Sequence, residues 1–230
     1  LMPGIHVGHD LTFHLMRIEA LAHDLKLGIF PTRVSSLWLD GYGYASSVYY
    51  NDMFLYIPAL LRLCGFTVEE SYKIYVFIIN FATVWIAYFS FSHIFQKKNT
   101  AYIAAIIYEL SAYRMVNLYV RAAVGEYTAM TFFPLVLLAI YHMYTDDVSD
   151  WKTYKKNILY LTFGMNGIFQ SHMLSTEMVI ISLIALCLCT IRQTCRKHTL
   201  QVYVVSILWC LFINLWFIVP FLDSYLRDMT

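Results

Sequence analysis

The densest group of side chains able to do chemistry lies near the start of the chain: His6, His9, Asp10, His14 and Arg17. Asp10, His14 and Arg17 stand at i, i+4 and i+7, so a helix through them presents a carboxylate, an imidazole and a guanidinium on one face. A carboxylate beside an imidazole can take a proton from a hydroxyl nucleophile, and a guanidinium can hold a phosphate. The same spacing, with His6, His9, Asp10 and His14 as ligands, also suits a divalent cation, the one cofactor the pattern could hold. A structural reading stays open beside these, because Asp10 is a good helix N-cap.

A second group is Glu109, Arg114, Arg121 and Glu126. Ionisable residues at membrane depth are costly and mark functional candidates. Glu109 is the most embedded of them, and Arg114 is its obvious structural partner. Arg121 reads either as an anion clamp or as half of an interfacial salt bridge with Glu126. His172 sits in a polar turn with Glu177 five residues on, and either lines a site or is a solvated turn residue. Tyr49, Tyr50, Asn51 and Asp52 offer a further polar wall, although Asp52 is also a plausible N-cap.

The elements that must position these groups are those of a membrane protein. Hydrophobic residues make up 60% of the chain and charged residues 13%, with a mean hydropathy of +0.58. Soluble domains carry about 25% charged residues. Uncharged runs cover Ile74–Gln96, the first half of Asn99–Tyr119, Tyr127–Thr145 and Thr199–Leu222. Asn157–Ile191 has 35 residues with one charge, Glu177. As a single helix it would be about 50 Å long, too long for a hydrocarbon core of about 30 Å. It therefore splits into two spans at the turn Gln170-Ser171-His172, with Gly164 and Gly167 loosening the helix before it.

These runs predict an all-α, polytopic fold of about six crossings. Lysines and arginines near residues 97, 155 and 196 share one side, which the positive-inside rule makes the cytoplasm. Residues 1–71 then form an extracytoplasmic loop and 72–230 the transmembrane domain. Within the loop, apolar spacing predicts an amphipathic helix over Asp10–Leu27 lying on the membrane surface. Met53–Leu63, too short to span and interrupted by Pro58, predicts another. Trp38-Leu39-Asp40-Gly41-Tyr42-Gly43-Tyr44 is a glycine-and-aromatic loop of the kind that lines sugar or lipid-headgroup sites.

A net charge of +1 with no basic stripe speaks against nucleic acid. The five cysteines form no C-x-x-C pair, so neither a zinc site nor a disulfide framework is indicated. Phosphate-cradling glycine loops, nucleophile elbows and H-E-x-x-H motifs are missing.

Gly8-His9-Asp10-Leu11-Thr12-Phe13-His14-Leu15-Met16-Arg17, followed by Phe30-Pro31-Thr32-Arg33, resembles the start of the large outer loop in bacterial membrane proteins of the type-C glycosyltransferase superfamily. Tyr49-Tyr50-Asn51-Asp52 before a surface helix, and then Gly65-Phe66-Thr67, resemble it too. Tyr113-Arg114 and Leu118–Glu126 resemble one branch, the membrane family labelled 6-pyruvoyl-tetrahydropterin synthase-related, with YfhO-like relatives. Nothing in the chain resembles the soluble pterin enzyme.

The resemblance implies that an acidic residue early in the outer loop is the catalytic base, and Asp10 is the matching position. It also implies a polyprenyl-phosphate sugar donor, and a fragment lacking one helix before Leu1 and several after Thr230. The expected function is sugar transfer from that donor to a glycan or lipid acceptor on the outer face of a bacterial plasma membrane. Asp10 and His14 would be catalytic. Arg17, Arg33, Tyr50, Asp52, Arg114, Arg121, Glu126 and His172 would bind substrate. The rival expectation is a transporter or non-catalytic binder of lipid-linked glycans.

Overall fold

The computed structural model describes residues 7–145 and 151–228. Among the described residues the protein is all-helical, and its one extended pairing is an isolated bridge between Ser35 and Tyr44. α1 (Leu11–Lys26), the single turn α2 (Ser46–Tyr49) and α3 (Tyr56–Leu63) build a cap with their connecting loops. α4 (Val68–Ile94) follows. Its start is encoded locally: the Thr67 hydroxyl accepts from the Glu70 amide at 3.2 Å, and the Glu70 carboxylate accepts from the Thr67 amide at 2.9 Å. That reciprocal box satisfies two amides the first turn leaves unpaired.

α5 (Lys98–Glu109) is followed by the turn α6 (Ala112–Met115) and a π-helical segment, Val116–Arg121. α7 (Val124–Met130) and α8 (Phe133–Thr145) run on from one another. α9 (Trp151–Ser171), α10 (Met173–Cys189), the turn α11 (Ile191–Thr194) and α12 (Lys197–Asp228) complete the order.

Among the described residues, three helical stretches are long and apolar enough to cross a membrane: α4, the α7–α8 pair and α12. α10 is apolar but has 17 residues, and the α5 helix has 12. The run Asn99–Tyr119 is therefore not one helix. It breaks after Glu109, where the chain turns to let Arg114 fold back onto that carboxylate at 3.1 Å. α7–α8 is the enclosed element, 72% buried over its apolar window against 28% for α4 and for α12.

Two buried clusters hold these parts. One joins Ile18 and Leu21 of α1, Ala59 of α3, Tyr72 and Tyr75 of α4, and Tyr127 of α7. The other joins Phe132, Val136 and Ala139 to Leu161 and Ile168 of α9 and Val202 of α12. Gly164 and Gly167 belong to this second contact. A Cβ on Gly167 would lie 2.3 Å from the Phe132 ring, and one on Gly164 would lie 2.7 Å from Val136. The glycines do not loosen α9, which stays helical to Ser171. They let α8 approach it closely, as small residues do between membrane helices.

The helix expected over Asp10–Leu27 is present as α1, but its polar face is not turned to water. His14, Arg17 and Asp24 are buried, and so are Leu11, Ile18 and Leu21 on the apolar side. The loop after α1 folds back over the charged face, so α1 is enclosed within the cap rather than laid on a surface.

Candidate functional site

Arg17 is the hub of the buried polar cluster. Its Nε donates to Asp52 Oδ1 at 3.1 Å, and Nη2 donates to the Asn51 carbonyl at 3.0 Å and to Asp52. The guanidinium also lies 4.0 Å from the centre of the Tyr50 ring, a cation–π contact. Both charges are out of water, with the Arg17 side chain 2% and the Asp52 side chain 5% exposed. Such a pair holds only if its donors and acceptors are met, which the Asn51 carbonyl and Tyr50 complete. Asp52 thus spends its carboxylate on Arg17, and it makes no side-chain cap for the turn it precedes.

His14, one turn before Arg17, is held neutral. Burial, then the Arg17 charge, then His172 push its pKa down to about 3. Its Nδ1 meets Arg17 Nη1 at 3.4 Å, which places the imidazole proton on Nε2. Burial and the neighbouring guanidinium thus disfavour the protonated imidazole, and the contacts His14 makes are to Arg17 and Tyr50 inside the protein. Its ring is 6.3 Å from Tyr50, and Tyr50 is 6.1 Å from His172.

The rim of the cluster is built by the π-helical segment. It ends at Ala122, whose left-handed backbone (φ 55) turns the Arg121 carbonyl toward the start of α1. That carbonyl accepts from the Asp10 amide at 2.8 Å, and the Val120 carbonyl accepts from the His9 amide at 3.3 Å. The Arg121 side chain, 40% exposed, gives Nη1 to Asn117 at 2.7 Å and to Glu126 at 2.5 Å. Tyr113 donates to the other Glu126 oxygen at 2.6 Å.

His172 stands at the turn between α9 and α10, where its Nδ1 accepts from the Ser175 amide at 3.3 Å and caps α10. Burial lowers its pKa, while Glu126 and Arg121 act in opposite directions on it. Gly125 is the meeting point: a Cβ there would lie 2.3 Å from the Tyr50 hydroxyl and 2.7 Å from the Ser171 carbonyl. Asp10, Tyr50, Arg121 and His172, from four separate segments, are therefore brought together.

Asp10 itself is exposed. It occupies the N-cap position of α1 but makes no capping hydrogen bond, so capping does not account for it. The cavity beneath, lined by Arg17, Tyr50, Asn51, Thr128, Gln170 and Ser171, holds about 10 Å³. That is room for one water molecule, so a larger ligand can touch this cluster only at its exposed rim.

Two expected substrate residues lie elsewhere. Arg114 is fully buried, with donors on Glu109, on Asn80 at 2.6 Å and on the Tyr127 carbonyl at 2.8 Å. It is a structural clamp, because each of its three guanidinium nitrogens is bonded inside the protein and the side chain is closed off from solvent. Arg33 reaches α12 instead, donating to the Trp216 carbonyl with its guanidinium 5.2 Å from the Trp216 ring. Arg17 is likewise removed from ligand binding by its burial. The cation reading also fails among the described residues, where no three His, Cys, Asp or Glu side chains converge. His14 has turned inward, and His6 lies outside the described residues.

Sequence reasoning missed Tyr113, Asn117 and Gly125 at the rim. It also missed a ladder of amides in the bundle, in which Gln170 donates to Asn214 and Asn214 donates to Asn166 at 2.5 Å. The ladder had a signal, since Asn166 and Gln170 lie at i and i+4 in an apolar run and Asn214 interrupts another. Gly125 had none, because a close approach depends on segments far apart in sequence. Compared with protein-family models, curated proteins and solved structures, the chain matches none of them.

Proposed function

We propose that the chain is the outer-face and membrane part of a glycosyltransferase-like protein that moves a sugar from a polyprenyl-phosphate donor to a glycan or lipid acceptor. The observation that carries this reading is the state of the carboxylates around the cluster. Asp52 is committed to Arg17, Glu126 to Arg121 and Tyr113, and Glu109 to Arg114. Asp10 alone among these is exposed and has no side-chain partner among the described residues. It is held in place by its backbone bond to Arg121.

A general base needs this condition, a carboxylate free to take a proton yet fixed in position. Asp10 takes the proton of the acceptor hydroxyl as its oxygen bonds to the anomeric carbon. The bond from that carbon to the phosphate oxygen breaks, and the lipid phosphate leaves with both electrons. Arg121, whose carbonyl holds the Asp10 amide and whose guanidinium is partly exposed, neutralises the leaving phosphate. An apolar cleft of about 560 Å³ between α9, α10 and α12, with Asn214 in its wall, suits the lipid part of such a donor.

We place residues 1–71 outside the cytoplasm and read six crossings: α4, α5 together with the broken stretch that continues it to Arg121, α7–α8, α9, α10 and α12. Helix order and the lysine-rich connections support that count.

Asp10→Asn in the full-length protein tests the reading. Glycan transfer should fall by on the order of 10²-fold or more, because an amide cannot accept the proton. Stability should change by less than about 0.5 kcal/mol, as for an exposed residue without partners. Normal transfer by this variant ends the catalytic assignment and leaves the non-catalytic binder. A transporter would instead carry the lipid-linked glycan across unchanged, with no new glycosidic product.

A further inference from the structure

The loop between α1 and α2 carries a run of apolar side chains left exposed among the described residues. Residues 27–44 carry only two charges, Arg33 and Asp40. Phe30 is 67% exposed, Leu39 64% and Tyr42 92%, and Leu27, Ile29 and Val34 are exposed with them. Scattered exposed apolar residues need no explanation, but a run of them in one closed loop does.

The loop is not loose. Ser35 and Tyr44 exchange backbone hydrogen bonds at 3.4 and 3.3 Å across its base. The Ser35 hydroxyl donates to Asp24 at 3.1 Å, and Trp38 turns inward against Phe13 and Tyr44, at 5.9 and 5.2 Å between ring centres. One aromatic thus fills the cap while the others are held outward on a fixed frame.

Its position relative to α12 sets the depth. Arg33 bonds the carbonyl of Trp216 and lies over its ring. Trp216 is seven residues before Asp223, the first charge after the apolar run Thr199–Leu222. At 1.5 Å per residue that is about 10 Å on the membrane side of the charge. Nearby, Tyr49 meets Phe221 at 6.0 Å between ring centres and Ser224 at 2.7 Å. The loop therefore lies alongside the outer part of a helix long and apolar enough to span a bilayer.

We propose that residues 27–44 form a membrane-interface wedge, inserting Phe30, Val34, Leu39 and Tyr42 into the headgroup–acyl boundary beside α12, with Arg33 pinning the loop to that helix. The occupant of the apolar surface is lipid because the surface is continuous with α12. Apolar segments of this kind bury to about 5–10 Å in the interface, with tyrosine and arginine suited to that level. The inference stands apart from the proposed sugar transfer and needs only that α12 spans. It also exchanges the expected lipid contact of α1 for one made by the loop that follows it.

The test uses the full-length protein, freed of native cysteines and reconstituted in phosphatidylcholine vesicles. Single cysteines replace Phe30, Leu39 or Tyr42 in turn and carry an environment-sensitive fluorophore; Thr12→Cys, at an exposed polar position of α1, is the reference. Quenching by nitroxide lipids and by aqueous iodide is measured for each. The wedge predicts loss of fluorescence with shallow nitroxide lipid at all three loop positions, and protection from iodide relative to Thr12→Cys. Iodide quenching without lipid quenching would show the loop in water and overturn it. Protection from both quenchers would show a protein surface covering the loop, and would overturn it equally.

Discussion

Arg17–Asp52 and Arg121–Glu126 are the same pair of functional groups in two settings. The first is sealed between α1 and the approach to α3, its guanidinium 2% exposed and met by a carbonyl, a carboxylate and an aromatic face. The second closes a π-helical segment at the rim, with its guanidinium 40% exposed. Burial converts an arginine into a structural joint, because every donor must find a partner inside the protein. Exposure leaves an arginine able to exchange partners, at the cost of contributing little to stability. The buried pair is therefore architecture, and the exposed rim, where Asp10 and Arg121 lie, is the part of this cluster a ligand can reach.

The largest expected effect comes from breaking the buried pair on one side. Arg17→Met leaves Asp52 buried without its cation and should cost about 3–5 kcal/mol. Replacing both, Arg17→Met with Asp52→Leu, should recover most of that loss in denaturant or thermal unfolding in detergent. If the single variant is as stable as the parent, the pair is not the joint described.

The next effect is a pH dependence. His14 has a folded-state pKa near 3, below its ordinary value of 6.5. Above that ordinary value both states are neutral and pH has no leverage through this group. Below it the unfolded chain binds a proton that the folded protein refuses, so stability falls as the pH drops toward about 3. The contribution is on the order of a few kcal/mol. His14→Gln should flatten the fall in melting temperature between about pH 6 and pH 4. An unchanged slope would mean that His14 is solvated.

Gly125→Ala should follow, at about 1–3 kcal/mol, because the new methyl meets a hydroxyl and a carbonyl at once. Adding Tyr50→Phe removes the hydroxyl contact but not the Ser171 carbonyl, so rescue should be partial. Full rescue would place the strain on Tyr50 alone. Smallest is Arg121→Gln, expected to cost about 0–1 kcal/mol in stability. A loss as large as that of Arg17→Met would erase the distinction between the two pairs.

Much of the frame was legible in the chain. Charges bound apolar runs because lipid rejects them, so the turn at His172 and the helices α4, α7–α8 and α12 could be read from spacing alone. α1 followed from local apolar periodicity, and the helix at Met53–Leu63 from an apolar run too short to span. The partner of Glu109 was legible too, since Arg114 is near enough in sequence for the chain to fold back on itself. The side α1 would bury was not. A helix with one apolar and one charged face looks amphipathic, and only the returning loop, bringing Asp52 from 35 residues away, shows that the charged face is also enclosed.

Residue types and apolar run lengths were determined by sequence alone, because each is read along the chain, whereas the caps expected at Asp10 and Asp52 are not made. Which arginine is a buried joint and which a partly exposed one, and why the Asp10 side chain has no partner among the described residues, were decided by tertiary structure. Burial and pairing are properties of the segments that fold over a side chain, and those segments are set by packing across the whole molecule.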